Sequence, residues 1–287
     1  MASDDFIRLL DELDRITDEP LKEKRNQRVV ENPAEMYKNE TKRYFIDFVF
    51  CIDASNGMDY LLERIKTILS ELFSKCERHL LESNFPLICE LACLRVKIIA
   101  FRDIFSDGDQ WLTLSGFFNL PAQEKDLLDF LQTLKAKGGG KHAQSALEAL
   151  ALAINSDWIE VDNPGFNKSR HIILLFTDEP SHAFEEAEYL NPEHYPSEMP
   201  KNYHQLVNDW NSYAKMQSMN DWLSMIAENR FNKRIIAFVP EDSHPWDWMT
   251  EELERCCVIP IERGSKFRSA EIENIFYNFG LGVVTGE

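Results

Sequence analysis

Four apolar runs, each followed by a polar turn, dominate this sequence. They are RYFIDFVFCID (43–53), LRVKIIAF (94–101), HIILLF (171–176) and RIIAFV (234–239). Stretches with helical periodicity lie between them, and a shorter run at 111–118 reads as an edge strand. Nearly continuous apolar strands that alternate with helices are typical of a parallel sheet covered on both faces. The pattern therefore predicts an α/β fold with a mostly parallel central sheet.

The chain divides by pattern into an arm and one large domain. In the arm, residues 1–42, apolar residues recur at helical spacing between Phe6 and Ile16, which predicts a short amphipathic helix. The domain spans 43–287 and shows no internal break in composition. It contains a long insertion at about 180–230, and a connection of this length is a candidate interaction surface.

Composition excludes two classes of partner. The chain of 287 residues carries 49 acidic and 31 basic side chains, a formal net charge of −18, which repels nucleic-acid backbones. No run approaches the roughly 18 apolar residues of a membrane helix. The acidic N-terminus is unlike a signal peptide, so we expect a cytoplasmic protein without nucleic-acid or membrane partners.

The segment KGGGKHAQS (137–145) first suggests a phosphate-binding loop. A P-loop requires a glycine five residues before its Gly-Lys pair and a hydroxyl residue after it. Here Lys135 stands at the first place and His142 at the second. A predicted helix, not a strand, precedes the glycines. Nucleotide binding at this segment is therefore rejected.

Three polar loops carry the remaining chemistry. CIDASNGM (51–58) and TDEP (177–180) end apolar strands, and the glycine segment opens a predicted helix. In open parallel sheets, binding sites collect outside the carboxyl ends of the strands. We therefore expect Asp53, Ser55 and Asp178 to converge, with the glycine segment beside them.

These loops resemble those of the von Willebrand factor A domain. That family's metal-ion-dependent adhesion site has an Asp-x-Ser-x-Ser loop, a Thr or Asp in a glycine-flanked second loop and an Asp in a third. CIDASNGM, GGGKHAQSALEALALAI and TDEPSH are similar to the loops of bacterial cytoplasmic members of the tellurite-resistance type, as are IAFRDIFSDGDQW and YPSEMPKN. The resemblance implies a Rossmann-like three-layer α/β/α sandwich over about residues 43–282.

The chain departs from the family pattern at two positions. Gly57 stands where the second serine is expected, so one oxygen ligand is lost. Lys141 stands at the Thr or Asp of the second loop, and an ammonium cannot coordinate a cation. The resemblance therefore implies a degenerate metal site of Asp53, Ser55 and Asp178, and no required cofactor.

Three interpretations of that site stay open. In the first, the Lys141 ammonium lies near Asp53 and Asp178 and substitutes for the charge of the metal. In the second, Lys141 points to solvent and metal is lost through Gly57 alone. In the third, Asp103 or Thr177 supplies an oxygen and a weak Mg²⁺ site survives.

The resemblance implies a protein-binding adaptor or scaffold, not an enzyme. The expected partners are kinases, phosphatases or AAA-type ATPases in bacterial stress-response, phosphorylation-signalling or defence systems. Candidate contacts for a partner lie at the tips of the first two loops: Asn56, Met58, Asp59, Gly139, Gly140 and His142. The alternatives are a metal-assisted hydrolase that uses Asp53, Asp103 and Asp178, and a purely structural subunit.

Overall fold

The central sheet is mostly parallel, as predicted. A computed structural model describes residues 41–83, 89–140, 143–161, 167–190, 193–211 and 233–268. The strands are β1 (Lys42–Asp53), β2 (Cys89–Phe101), β3 (Leu112–Leu114), β4 (Phe118–Leu120), β5 (Asn167–Phe176), β6 (Lys233–Val239) and β7 (Cys256–Pro260). The sheet order is β3-β2-β1-β5-β6-β7, and β1, β2, β5, β6 and β7 pair in parallel.

The edge run at 111–118 folds as two strands where the sequence predicted one. Both β3 and β4 pair antiparallel with β2, at different levels along it. Gly116 and the residues beside it separate the two short strands.

Helices cover both faces of the sheet. They are α1 (Asp59–Ser83), α2 (Ile104–Asp107), α3 (Glu124–Thr133), α4 (Ala146–Ile154), α5 (Phe184–Leu190), α6 (Tyr203–Asn211) and α7 (Trp246–Glu252). One core cluster packs α1 and α3 on the sheet, and a second packs α4, α6 and α7 on its other face. The result is the expected three-layer α/β/α sandwich.

The alternation of side chains explains why the strands are apolar almost throughout. Phe48, Phe50 and Ile52 of β1 enter the first cluster, whereas Val49 and Cys51 enter the second. A strand buried on both faces cannot alternate apolar and polar residues. Among the described residues, no helix is both long enough and apolar enough to cross a membrane.

The predicted amphipathic helix of the arm lies outside the described residues. Lys141 and His142 of the glycine segment and the later part of the insertion, 212–232, lie outside them too.

The described part of the insertion packs on the body of the domain. Trp210 of α6 is buried, and its indole N–H donates to the carbonyl of Glu254 over 2.7 Å. The hydroxyl of Tyr195 donates to Oε1 of Glu148 on α4 over 3.1 Å. These aromatic residues therefore fix the insertion to the domain.

Candidate functional site

The three polar loops converge at the carboxyl edge of the sheet, as the sequence predicts. Together they line one open cleft of about 250 Å³. Its walls come from the first loop, the glycine segment, the end of β5 and a later turn: Ser55, Asn56, Met58, Gly138, Gly139, Gly140, Gln144, Asp178, Glu179 and Lys266. Asp53 lies beneath this cleft at the end of β1, fully buried.

Asp53 is committed to structural hydrogen bonds. The backbone N–H of Ser55 donates to its Oδ1 over 2.8 Å, and the hydroxyl of Thr177 donates to its Oδ2 over 2.9 Å. Burial raises the pKa of Asp53 to about 6, although these hydrogen bonds act in the opposite direction. The nearby carboxylate of Asp178 raises that pKa further.

Asp178 anchors the turn that follows β7. Its Oδ2 accepts the backbone N–H of Lys266, and its carbonyl accepts the N–H of Gly264 over 3.0 Å. Burial raises the pKa of Asp178, and the Lys266 backbone hydrogen bond and ammonium oppose that rise. The carboxylate therefore connects the end of β5 to a segment some 90 residues later.

Arg102 holds the first loop and the end of α3 together. This residue is 4% exposed, and its guanidinium donates to the carbonyls of Ala54, Gln110 and Lys135 at 2.7–3.0 Å. Three neutral acceptors in fixed directions suit the planar fork of arginine. Arg102 thereby joins three separate segments of the chain near this edge of the sheet.

Close packing accounts for the glycine segment. The N–H of Asn56 donates to the carbonyl of Gly138 over 2.9 Å, and the N–H of Gly139 donates to Oδ2 of Asp107 over 2.7 Å. Gly139 has φ +90°, and a Cβ there would lie 2.5 Å from Cβ of Ser55. A side chain at Gly139 is excluded by both backbone and space.

Gly57 has a role beyond the loss of a hydroxyl ligand. Its φ is +95°, and a Cβ there would lie 2.3 Å from Nζ of Lys266. The Lys266 side chain therefore occupies the space that a serine at this position would need. The sequence gives no signal for this contact, because Gly57 and Lys266 are far apart in the chain.

The candidate partner contacts fall into three groups. Asn56 and Asp59 are exposed, and Gly139 and Gly140 border the cleft. Met58 also borders it, but its side chain is 1% exposed and packs in the core beneath α1, so the side chain is not open to a partner. His142 lies outside the described residues.

Of the two replacement metal ligands considered, Thr177 donates its hydroxyl to Asp53 within the site, whereas Asp103 is engaged elsewhere. Asp103 accepts the hydroxyl of Ser106 at 2.6 Å and lies 3.2 Å from Nε2 of His182. Burial raises the pKa of Asp103, but these contacts and the hydrogen bond from the N–H of Phe105 outweigh it and hold that pKa below its usual range. Within the described ranges, no three His, Cys, Asp or Glu side chains are grouped to hold a metal, so Asp53, Asp103 and Asp178 form no such group.

The mostly parallel sheet with its flanking helices is consistent with the von Willebrand factor A type of fold. Residues 48–181, slightly under half of the chain, match the family model described as the von Willebrand factor type A domain. This segment is therefore similar to that family. Among the curated proteins, none matches the chain.

Three solved structures that are similar to this chain share little sequence with it, and the chain spans less than half the length of each. The pilus adhesin SpaC of Lactobacillus rhamnosus GG is 13% identical over 84% of this chain and 30% of its own, with a TM-score of 0.46. A von Willebrand factor type A protein from Catenulispora acidiphila is 12% identical over 84% and 43%, with a TM-score of 0.40. The proximal thread matrix protein 1 of the mussel byssus is 14% identical over 84% and 46%, with a TM-score of 0.34.

Proposed function

We propose that this protein is a non-catalytic protein-interaction module that binds a partner at the carboxyl edge of its sheet. The convergence of the three loops into one open, polar cleft carries this proposal. Von Willebrand factor type A domains generally mediate protein–protein interactions. A partner would contact the exposed first loop, Asn56 and Asp59, and the glycine segment beside it.

The polar groups of the cleft favour binding over hydrolysis. Asp53 holds the first loop through Ser55 and the end of β5 through Thr177. Asp178 holds the turn at Lys266. A hydrolase needs a free general base or a metal-bound water, and the hydrogen bonds of these carboxylates to the surrounding loops favour a structural role instead.

The finer proposal is an adaptor or scaffold in a bacterial cytoplasmic system. The loop sequences CIDASNGM and TDEPSH and the segment YPSEMPKN support it by their resemblance to the tellurite-resistance type. The partners would be kinases, phosphatases or AAA-type ATPases of stress-response, phosphorylation-signalling or defence systems. The net charge of −18 disfavours nucleic acid as a partner.

Site-specific photo-cross-linking in native lysate tests the location of the interface. A photoreactive amino acid at Asn56, at the cleft, should yield one discrete cross-linked protein. The same amino acid at Glu90, an exposed position at the start of β2, is the matched control because β2 runs parallel to β1 and begins at the opposite edge of the sheet. Equal cross-linking from both positions would contradict the proposal. A metal-stimulated phosphatase activity that requires Asp53 would favour the hydrolase instead.

A further inference from the structure

The helix α7 presents a tryptophan that the core does not use. Trp248 is 49% exposed, whereas Trp246, two residues earlier on the same helix, is 1% exposed and belongs to the second core cluster. Among the described residues, four large apolar side chains are exposed, and Trp248 is the aromatic one of the four. Trp246 therefore attaches α7 to the domain, and Trp248 is not needed for that attachment.

The exposed face of α7 combines this indole with carboxylates. Glu251 and Glu252 follow Trp248 by three and four residues, which places them beside it on the helix surface. Four residues before it, the imidazole of His244 meets the indole at 71°, with ring centroids 4.2 Å apart. In the described part of the chain, no lysine or arginine forms an ion pair with Glu251 or Glu252. An aromatic ring and two carboxylates therefore face solvent together.

The charge around Trp248 has one sign. The stretch 241–254 contains six aspartate and glutamate residues, all of them exposed, and no lysine or arginine. A surface of this kind attracts cations and repels anions such as phosphate groups. The complementary partner surface is therefore positively charged.

This surface is continuous with the cleft of the proposed function. The helix α7 follows the carboxyl end of β6, at the same edge of the sheet as the three loops. The indole N–H of Trp246 donates to the carbonyl of Glu179 over 3.1 Å, and Glu179 lines the cleft. A partner that contacts the cleft can therefore reach the start of α7 as well.

On the basis of the proposed function, we propose that Trp248 is the anchor for an arginine in a basic segment of the partner protein. The guanidinium would stack on the indole, and Glu251 or Glu252 would accept its N–H groups. Arginine fits better than lysine, because its planar guanidinium both stacks on aromatic rings and binds a carboxylate through two N–H groups. Tryptophan is the aromatic side chain that attracts cations most strongly, and tryptophan and arginine are both enriched at the energetic centres of interfaces.

Titration with the peptide acetyl-Gly-Arg-Gly-Arg-Gly-amide, followed by ¹H–¹⁵N NMR, tests this anchor. In the wild type, the indole N–H signal of Trp248 should shift saturably at millimolar peptide. The same peptide with citrulline in place of arginine keeps the shape without the charge and should leave that signal unshifted. A peptide with lysine in place of arginine should bind more weakly than the arginine peptide.

Variants of α7 separate the indole from the charge. Followed by the backbone amide signals of α7, Trp248→Ala should weaken the binding about fivefold or more, and Trp248→Phe should retain part of it. Glu251→Gln combined with Glu252→Gln should weaken it too. Glu77→Gln combined with Glu82→Gln removes the same charge from exposed positions on α1 and should bind as the wild type does.

The outcomes that overturn the proposal are specific. Equal binding by Trp248→Ala, or no shift of the Trp248 signal in the wild type, overturns the anchor, and equal binding of the citrulline or lysine peptide overturns the choice of arginine. A Trp248 signal that moves with protein concentration alone would assign the surface to a second copy of the chain instead. An unchanged spectrum outside α7 shows that Trp248→Ala is folded.

Photo-cross-linking from Asn56 distinguishes failure of this proposal from failure of the proposed function. Trp248→Ala should lower the yield of the cross-linked partner. If that yield is unchanged, the interaction module stands and the role of Trp248 fails. If the peptide binds at Trp248 but Asn56 yields no cross-linked protein, the interface at the first loop fails and the arginine-binding surface stands.

Discussion

Replacement of Asp47 by alanine should lower the free energy of unfolding by about 3–5 kcal/mol. Asp47 is fully buried on β1, and Arg95 of β2 donates to both of its oxygens at 2.7 Å. The N–H of Ile159 donates to Oδ2 at 2.7 Å as well. The substitution leaves the N–H of Ile159 without its acceptor, and the guanidinium of Arg95 keeps the carbonyl of Asp157 but loses its carboxylate. This loss costs more than the pair itself contributes.

The same two strands supply a matched control. Arg43 lies four residues before Asp47 on β1 and is paired with Glu90 of β2. The Nε of Arg43 and Oε2 of Glu90 are 3.6 Å apart, and both side chains are about half exposed. Glu90→Ala should change the free energy of unfolding by about 1 kcal/mol or less, because solvent screens exposed pairs. Urea unfolding of both variants measures the difference. If Asp47→Ala lowered the free energy of unfolding as little as Glu90→Ala does, the buried pair of Asp47 and Arg95 would not stabilise the sheet as predicted.

The second large effect is the dependence of stability on pH through Glu148. Glu148 is fully buried on α4, and one of its oxygens has no partner among the described residues. Burial raises its pKa from an ordinary 4.5 to about 7, against the hydrogen bond from Tyr195. The pKa of Glu148 is higher in the folded state than in the unfolded state. Its contribution to the free energy of unfolding is therefore fully present below pH 4.5 and is lost as the pH rises through about 7.

We expect that loss to be about 3 kcal/mol between pH 4.5 and pH 8. Glu148→Gln stays neutral at both values and should lack this part of the pH dependence. Its free energy of unfolding at pH 8 should therefore exceed that of the wild type. Glu185→Gln, an exposed carboxylate on α5, controls for the removed charge. If the pH profiles of the wild type and Glu148→Gln were parallel, the folded state would not favour the protonated form of Glu148, and the prediction would be wrong.

The strands and the location of the site follow from the sequence because both depend on local pattern. Strands such as 43–53 and 171–176 are apolar on both faces, so both faces must be buried, as they are in a parallel sheet covered by helices. The polar turns that follow them then meet at one edge of that sheet. Asp53, Ser55 and Asp178 could therefore be placed together without any knowledge of the distant contacts.

The function of individual side chains depends on contacts that local pattern does not encode. Lys266 reaches the cleft because Asp178 binds its backbone and Phe267 is buried beneath it, and neither contact leaves a periodic signal. Met58 was expected at the contact surface because it lies in the first loop. It is buried because the loop ends there and the side chain already packs beneath α1.

The contact between Gly57 and Lys266 also changes what is needed to restore a metal site. A serine at position 57 would place its Cβ 2.3 Å from the lysine ammonium and would have to adopt a φ of +95°. The strained backbone opposes a serine here, whereas the flexible end of the Lys266 side chain can move aside. A restored metal site would therefore need a relaxed backbone at position 57 as well as a new oxygen ligand in the glycine segment.

Paramagnetic line broadening by Mn²⁺ tests most directly whether the cleft still holds a divalent cation. Mn²⁺ is used because it prefers oxygen ligands, as Mg²⁺ does, and broadens the signals of nuclei close to it. In the wild type, stoichiometric Mn²⁺ should broaden the amide signals of Ser55, Gly57, Gly139 and Lys266 no more than those of exposed acidic helices such as α3. Selective broadening of those four signals, reversed by excess Mg²⁺, would show a working metal site and contradict the assignment of a degenerate one.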